Sequence, residues 1–475
     1  MTARRRLALG ALAAAMGGPA AAQAPDPATA PELPPLTTTR YDEAWSVLAD
    51  PVYADTGTGR VWSDRLKYIP LTDDGSVYLT LGMELRARNE DYRNNVWDSV
   101  PDPDNGYLWL RALPYADLHA GPTRAFVQPI IAYAVGVEPK PSPVDQTRID
   151  ILQAFADYAV PLAGNGTLTV RGGREMIGLG SERLVGTRYG PNVPLAFDGG
   201  RVIVEHGPWV TNLLAVRPVE AGPDSFDDKT STSRTLWGIY ATYSGLWSSN
   251  VGADVYYLGY RNDDASFQQG SGRELRHTLG VRLFDSADPL HFNIEGMVQF
   301  GRFAGGSIGA WSLATEVGRR FEALPLSPDF TMRVNVASGD GDPDDDHLGT
   351  FNALFPKGKY FGELSPIGPY NIINVNPRLD LDLGHGWAAG LSGGLYWRAS
   401  TGDGIYDIPG HLIRSGEGTD ARFIGTQAEV TVEWQASRAL GFSASASLFT
   451  AGEYIRQSGP SATIGMLGFE AGYRF

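Results

Sequence analysis

The feature that most constrains this chain is a period of two. From Val77 to Arg88 the odd positions (Val77, Leu79, Leu81, Met83, Leu85, Ala87) are all apolar. The even positions are Tyr78, Thr80, Gly82, Glu84, Arg86 and Arg88. The last stretch repeats the pattern: Leu467, Phe469, Ala471, Tyr473 and Phe475 alternate with Gly468, Glu470, Gly472 and Arg474. Such alternation is a strand with a different solvent on each face. One strand of this kind also suits a soluble sandwich, so the rest of the chain decides.

Comparable segments fall near 107–118, 123–133, 149–160, 166–174, 197–206, 209–219, 234–243, 250–260 and 273–284. More follow near 290–301, 309–321, 329–338, 370–383, 387–399, 420–434, 440–453 and 461–475, about eighteen in all. Their connections alternate in length. Short turns such as His119-Ala-Gly-Pro122, Pro161-Leu-Ala-Gly-Asn165, His206-Gly-Pro208, Asp285-Ser-Ala-Asp288 and Gly384-His-Gly386 are separated by long or polar links. Those links are 134–148, 175–196, 220–233, 261–272, 339–369 and 400–419, with shorter ones at 302–308 and 454–460. An even strand number with long loops on one side and short turns on the other is what an outer-membrane barrel requires. A sandwich has no reason to alternate so. Trp97, Trp109, Trp209, Trp237, Trp387, Trp397 and Trp434, near strand ends, are candidates for interfacial girdles.

The N-terminus agrees with export. Arg4-Arg5-Arg6, a short apolar run and Ala20-Ala21-Ala22 make residues 1–22 a signal peptide. Residues 23–40 read as a flexible Pro-rich stretch, and 41–475 as the barrel domain, beginning with an irregular segment that packs against or plugs it. No later apolar run is long enough for a transmembrane helix, so a membrane form has to be a closed barrel. The absence of cysteine removes thiol chemistry and cysteine-ligated metals. A net charge of −15 argues against nucleic acid as a partner.

If the apolar face meets lipid, the other face lines the lumen. Parity puts Glu84, Arg86, Arg88, Trp109, Arg111, Asp117, Arg124, Gln128, Gln153, Asp157 and Arg171 there. Later strands add Arg201, Glu205, Glu274, Arg276, Arg282, Glu295, Gln299, Arg333, Asn335, Arg378, Arg398, Gln427 and Glu429. Inward arginines beside carboxylates can be structural clamps. As a set they also form a ladder that attracts anions, because the guanidinium fork matches carboxylates. Asp157, Asp198, Glu205 and Glu295 are the structural or gating candidates. Asp340-Gly-Asp-Pro-Asp-Asp-Asp346 reads as a solvated acidic loop; calcium at Asp340, Asp342 and Asp344 is the alternative. No HExxH, GxSxG or phosphate-cradling motif occurs, so no enzyme activity and no cofactor are expected.

Further motifs carry a family likeness. They include Gln153-Ala-Phe-Ala-Asp157, Gly173-Arg-Glu175, Gly180, Arg183, Arg188, Gly190-Pro-Asn192 and Phe197-Asp-Gly199. Arg217-Pro218, Trp237-Gly-Ile-Tyr240, Arg276 to Arg282, Leu354-Phe-Pro356, Tyr396-Trp-Arg398 and Asp403-Gly-Ile-Tyr406 extend it. With these the chain resembles the alginate-export outer-membrane barrels from about residue 41 to its end. The resemblance implies a monomeric eighteen-stranded barrel in the bacterial outer membrane that passes an anionic polysaccharide through an arginine-lined constriction. It also implies gating by an inward loop and a periplasmic turn. Positions matching its arginine-bearing motifs are Arg111, Arg174, Arg183, Arg188, Arg276, Arg282, Arg333, Arg378 and Arg398, although Arg174 is out of parity with Arg171. The closing strand is similar to the signal read by the barrel-assembly machinery, so deleting Phe475 is expected to impair assembly. Three functions stay open: polyuronate export, uptake of small anions, and a barrel enzyme acting on lipid or glycan.

Overall fold

The computed structural model describes residues 33–50, 62–247, 250–287 and 289–475. The expected leader, 1–22, lies outside the described residues, as does most of the Pro-rich stretch.

Eighteen long strands run up and down among the described residues. They are β1 (Val77–Arg93), β2 (Asn105–Ala120), β3 (Thr123–Val135), β4 (Arg148–Leu162), β5 (Gly166–Glu175) and β6 (Phe197–His206). Next come β7 (Trp209–Glu220), β8 (Arg234–Ser244), β9 (Val251–Phe267), β10 (Gly270–Asp285), β11 (Leu290–Phe303) and β12 (Gly306–Arg320). The last six are β13 (Asp329–Ala337), β14 (Ile372–Gly384), β15 (Trp387–Trp397), β16 (Phe423–Gln435), β17 (Leu440–Ala451) and β18 (Ile464–Arg474). Each pairs antiparallel with the next, and β18 returns to β1 with Glu84 opposite Arg474 and Arg93 opposite Gly465. Phe475 lengthens this seam: its N–H donates to the Met83 carbonyl at 3.0 Å, and its carbonyl accepts from the Met83 N–H at 3.1 Å. The wall is a closed antiparallel barrel without an edge strand.

Alternation sorts the side chains as the period of two requires. On β1, Thr80, Glu84, Arg86, Arg88 and Glu90 are buried inward, while Leu85 is exposed. On β18, Met466 is buried, whereas Leu467 and Phe469 are 50% and 56% exposed. Val127, Val170, Leu279, Val298, Leu313 and Leu391 repeat this outward row around the wall. An apolar band of that extent is a surface for hydrocarbon, not water. Even the nine-residue β13 is long enough to cross when tilted.

Two expected loops are not loops. The links read at 261–272 and 302–308 shrink to Gln268-Gln269 and Ala304-Gly305, because β9 to β12 continue past the bilayer-spanning length. Polar residues such as Asn262, Asp263 and Asp264 belong to the projecting part of a strand, and polarity alone had marked them as loop. Two expected girdle tryptophans are also elsewhere. Trp97 is wholly buried beneath the long loops, its ring 5.4 Å from that of Phe449, and Trp109 is buried on the inner face. Trp209 and Trp387 are exposed on the wall.

The described N-terminal segment occupies the end of the barrel that carries Phe475 and the short turns. Leu33 and Leu36 pack against Trp45 and Leu48. Tyr41 enters the lumen, edge-on to Phe126 and Phe155 with ring centroids at 5.8 and 5.3 Å.

Candidate functional site

Two long connections fold into the barrel and cross it. The first, 176–196, joins β5 to β6. Arg86 on β1 donates to the carbonyls of Tyr189, Gly190 and Pro191 at 3.1, 2.9 and 2.7 Å. Arg111 on β2 donates to those of Tyr189 and Pro191 at 3.2 and 3.0 Å. From there the loop reaches β11, where Arg183 pairs with Glu295 at 3.1 Å and the Ser181 hydroxyl donates to the same carboxylate at 2.5 Å. The second, 338–371, joins β13 to β14. It is held at β10 and β11, where Asn352 Nδ2 donates to Glu274 at 3.1 Å and Gln299 Nε2 to the Asn352 carbonyl at 2.7 Å. It is held again across the lumen, where Glu429 on β16 accepts from the Glu363 N–H at 2.8 Å and Arg88 on β1 pairs with Glu363 at 2.7 Å.

The two loops join in mid-lumen. Phe355 N–H donates to the Leu184 carbonyl at 2.9 Å, Gly186 N–H to that of Phe355 at 2.8 Å, and Lys357 N–H to that of Glu182 at 2.9 Å. Val185 and Phe355 form a parallel bridge, and both are buried. Backbone donors and acceptors inside a barrel need partners, and here each crossing loop supplies them to the other.

Most arginines expected to line the lumen do face it, and nearly all are paired with carboxylates. Arg111 meets Glu84 at 2.7 Å, and Glu84 also accepts from Arg474 at 2.8 Å and from the Tyr189 hydroxyl. Arg124 meets Asp117 at 2.6 Å, Arg171 meets Asp157 at 2.8 Å, and Arg201 meets Glu175 at 3.1 Å. Arg276 meets Glu274 at 2.5 Å, Arg282 meets Asp254 at 2.7 Å, Arg333 meets Glu316 at 2.7 Å and Arg378 meets Asp380 at 2.7 Å. Arg86 is held chiefly by loop carbonyls, with Glu470 at 4.0 Å. Asp157 and Glu295 are therefore ion-pair partners of arginines.

Several expected site residues are elsewhere. Gly173 and Gly199 face each other across β5 and β6 at φ +136° and +155°, and a Cβ on either would lie 2.3 or 2.4 Å from a neighbouring carbonyl. Beyond this pinch Arg174 and Asp198 pair at 2.8 Å on the face opposite to Arg171 and the buried Phe197, so they are not lumen residues. Glu205 is exposed at the short-turn end of β6. Arg398 is a clamp of the loop after β15: buried, it donates to the carbonyls of Thr401 and Asp403 at 3.0 Å, of Thr419 at 2.8 Å and of Ala421 at 2.6 Å. The calcium alternative also fails on geometry. Asp340 is buried and accepts from the N–H groups of Gly341 and Gly349, both at 3.0 Å, whereas Asp342 and Asp344 are not buried with it. Burial pushes its carboxyl, and that of neighbouring Asp403, above the usual range. The carboxylates that converge are Asp150, Asp227 and Asp228, within 4.8 Å, and Asp228 there accepts from Thr147 and Gly222.

Parity along strands could not find the cations of the crossing loops. Arg183 is paired with Glu295, and Lys359 with Glu363. Arg188 has one hydrogen bond, to the Pro356 carbonyl at 3.2 Å, and no carboxylate partner among the described residues. It lies among Tyr260, Tyr370, Arg234 and Asp407. The Lys357 ammonium likewise has no ion-pair partner among them and lies near Arg183, Arg333, Glu316 and Glu182. Arg188 was legible only through the family motif, and Lys357 only as the neighbour of Leu354-Phe-Pro356.

Known proteins agree with this architecture. The family model described as alginate export matches residues 77–467. No curated protein matches the chain. Among solved structures, OccK2 (OpdF) of Pseudomonas aeruginosa in complex with glucuronate aligns with a TM-score of 0.55 at 11% identity, covering 86% of this chain and 98% of that one. OpdK of the same organism with vanillate aligns with a TM-score of 0.55 at 12% identity, covering 83% and 98%. At such identities the likeness is one of fold. The chain is an outer-membrane channel and belongs to the alginate-export family.

Proposed function

We propose that this protein is a gated, anion-selective channel that exports a polyuronate such as alginate, with Arg188 and Lys357 as the groups that meet the cargo. The observation that carries this reading is the contrast in pairing. Nearly all arginines on the inner wall are neutralised, Arg86 being held chiefly by loop carbonyls, while these two, on the loops that bridge the lumen, have no carboxylate partner among the described residues. A cation without a fixed counter-ion beside a pore attracts mobile anions and repels cations. Two such groups hold a passing carboxylate weakly, which suits a polymer that has to keep moving. The basic leader, export by the general route, assembly through the closing strand and a monomeric state in outer-membrane lipid complete the proposal.

A second reading is uptake of small carboxylates, and the crossing loops favour it. A polymer needs the Leu184–Phe355 bridge to part, whereas a small acid needs only a local gap. Conductance in planar bilayers under a salt gradient separates the readings. Anion selectivity with block by polyuronate, and none by glucuronate or neutral dextran, is the expected outcome. Block by glucuronate alone transfers the assignment to small acids, and cation selectivity overturns both.

A further inference from the structure

The N-terminal segment has more contacts than a passive tail needs, and they converge on the start of the first crossing loop. The Tyr41 hydroxyl donates to the Met176 carbonyl at 2.7 Å, while Met176 N–H donates to Gln153 Oε1 at 2.9 Å. Met176 is the residue at which the chain leaves β5 and turns inward, so its backbone is gripped on both sides. Arg171 lies over the Tyr41 ring at 4.6 Å, and Arg124 donates to the Tyr41 carbonyl at 2.5 Å.

The rest of the segment is moored along the short-turn rim. Arg40 pairs with Glu43 at 2.7 Å and donates to the Phe475 carbonyl at 2.9 Å. Arg438, in the β16–β17 turn, donates to the Pro34 carbonyl at 2.8 Å and pairs with Asp64 at 3.7 Å. These contacts run from that turn, past the seam, to β3–β5.

The mooring includes a costly element. Lys67 is 1% exposed, donates to the Tyr115 hydroxyl at 2.7 Å and sits against the rings of Trp45, Tyr115 and Phe475. It has no carboxylate within ion-pair distance among the described residues. A buried ammonium with only a hydroxyl and aromatic faces offsets much of what docking gains. A permanent plug would more simply be apolar or fully paired. Trp45 of the N-terminal segment helps to bury this ammonium, so departure of that segment relieves part of the cost.

We infer that residues 33–50, docked through Tyr41 on the Met176 hinge, are an autoinhibitory strap that holds the first crossing loop closed from the periplasmic side. Release of the strap frees the hinge and lets the loops part. The inference concerns opening, not ion choice, so it stands or falls separately from the anion reading.

The test is single-channel recording on the full-length protein. Tyr41→Phe removes only the hydroxyl and is expected to raise open probability several-fold; Tyr41→Ala is expected to raise it further. Arg174→Ala, on the outer face, is the control and leaves gating unchanged. The chain has no cysteine of its own. Joining Pro34→Cys to Arg438→Cys with a short bis-maleimide is therefore expected to suppress openings relative to either single variant. A folded Tyr41→Phe or Tyr41→Ala barrel that gates like the parent, or opens less, overturns the strap. So does a bridged double variant with unchanged current. If Tyr41→Ala does not assemble, the Tyr41→Phe and bridged variants decide.

Discussion

The wall and the crossing loops treat positive charge differently: the loops pair Arg183 and Lys359 but not Arg188 and Lys357 among the described residues. On the wall, an arginine's partner is written into the ladder. Asp157 stands directly opposite Arg171, Asp254 opposite Arg282 and Glu316 opposite Arg333. In Arg276–Glu274 and Arg378–Asp380 the partner is two residues away on the same face. Strand geometry makes such pairs close and fixed, so these guanidinium groups are neutralised where they are made. The loops obey no such register, and Arg188 and Lys357 have no carboxylate partner among the described residues. The difference teaches that an inward arginine is not by itself a filter. On this wall it is a rivet, and discrimination falls to the part of the lumen that strands do not build.

The largest effect should come from breaking a rivet. Glu84 is 1% exposed and serves Arg111, Arg474 and Tyr189 together. Replacing it by Gln leaves buried guanidinium charge uncompensated, which costs about 3 kcal/mol or more. The expected result is a markedly lower unfolding midpoint in detergent, or loss of the heat-modifiable form. A stable Glu84→Gln barrel with altered ion selectivity would turn the rivet into a filter and reverse the comparison.

This division also explains what could be read in the chain. Strands, their faces and the closing seam were legible, because hydrogen bonding and lipid impose a period of two on every crossing residue. The strands read at 77–88 and 461–475 stand in the barrel as Val77–Arg93 and Ile464–Arg474. The face of Arg174 was open, because the family motif pointed inward while parity with Arg171 pointed outward; the unbroken register of β5 follows parity. The crossing of 176–196 and 338–371 was not legible, since a loop's path depends on distant anchors such as Arg86 and Gln299. Charge could be placed on the inner face by counting, but its pairing could not. That is why the inward arginines stayed open between clamps and an anion-attracting ladder until their ion pairs were seen.

A third region, the strap, sharpens the comparison through pH. Burial first, and Arg40 second, push the Lys67 ammonium down to about 7 from its ordinary 10.5, with Arg438 acting in the same direction and Glu43 and Asp64 against it. Departure of Trp45 and Arg40 from beside it moves the ammonium back toward its ordinary value, so release takes up a proton. Docking is therefore weakest below about pH 7 and strengthens as pH rises from there toward 10.5, by on the order of 1–3 kcal/mol. Protease nicking within 33–50 should be faster at pH 6 than at pH 9 in the folded full-length protein. Lys67→Met should flatten that dependence; a Lys67→Met protein with the full pH response assigns the effect to another group.

Removing the loop cations should change discrimination and little else. Arg188→Ala with Lys357→Ala is expected to move the reversal potential toward that of an unselective pore. Stability should change by less than about 1 kcal/mol, since neither group anchors a partner that would be left buried and charged. An unchanged reversal potential would return selectivity to the wall.

The smallest effect belongs to the residue that the family motif made most conspicuous. Arg174 and Asp198 are partly exposed on the outer face, where an ion pair is worth about 1 kcal/mol or less. Arg174→Ala should therefore lower stability by no more than that and leave conductance and ion selectivity as in the parent. Its strand neighbour Arg171 is buried inside, stacked over the Tyr41 and Phe155 rings at 4.6 and 4.0 Å and paired with Asp157 and Glu175. Arg171→Ala should cost several times as much in stability. Two arginines three residues apart on one strand thus read out the two faces of the wall, and equal effects from both would mean that the alternation breaks between Arg171 and Arg174.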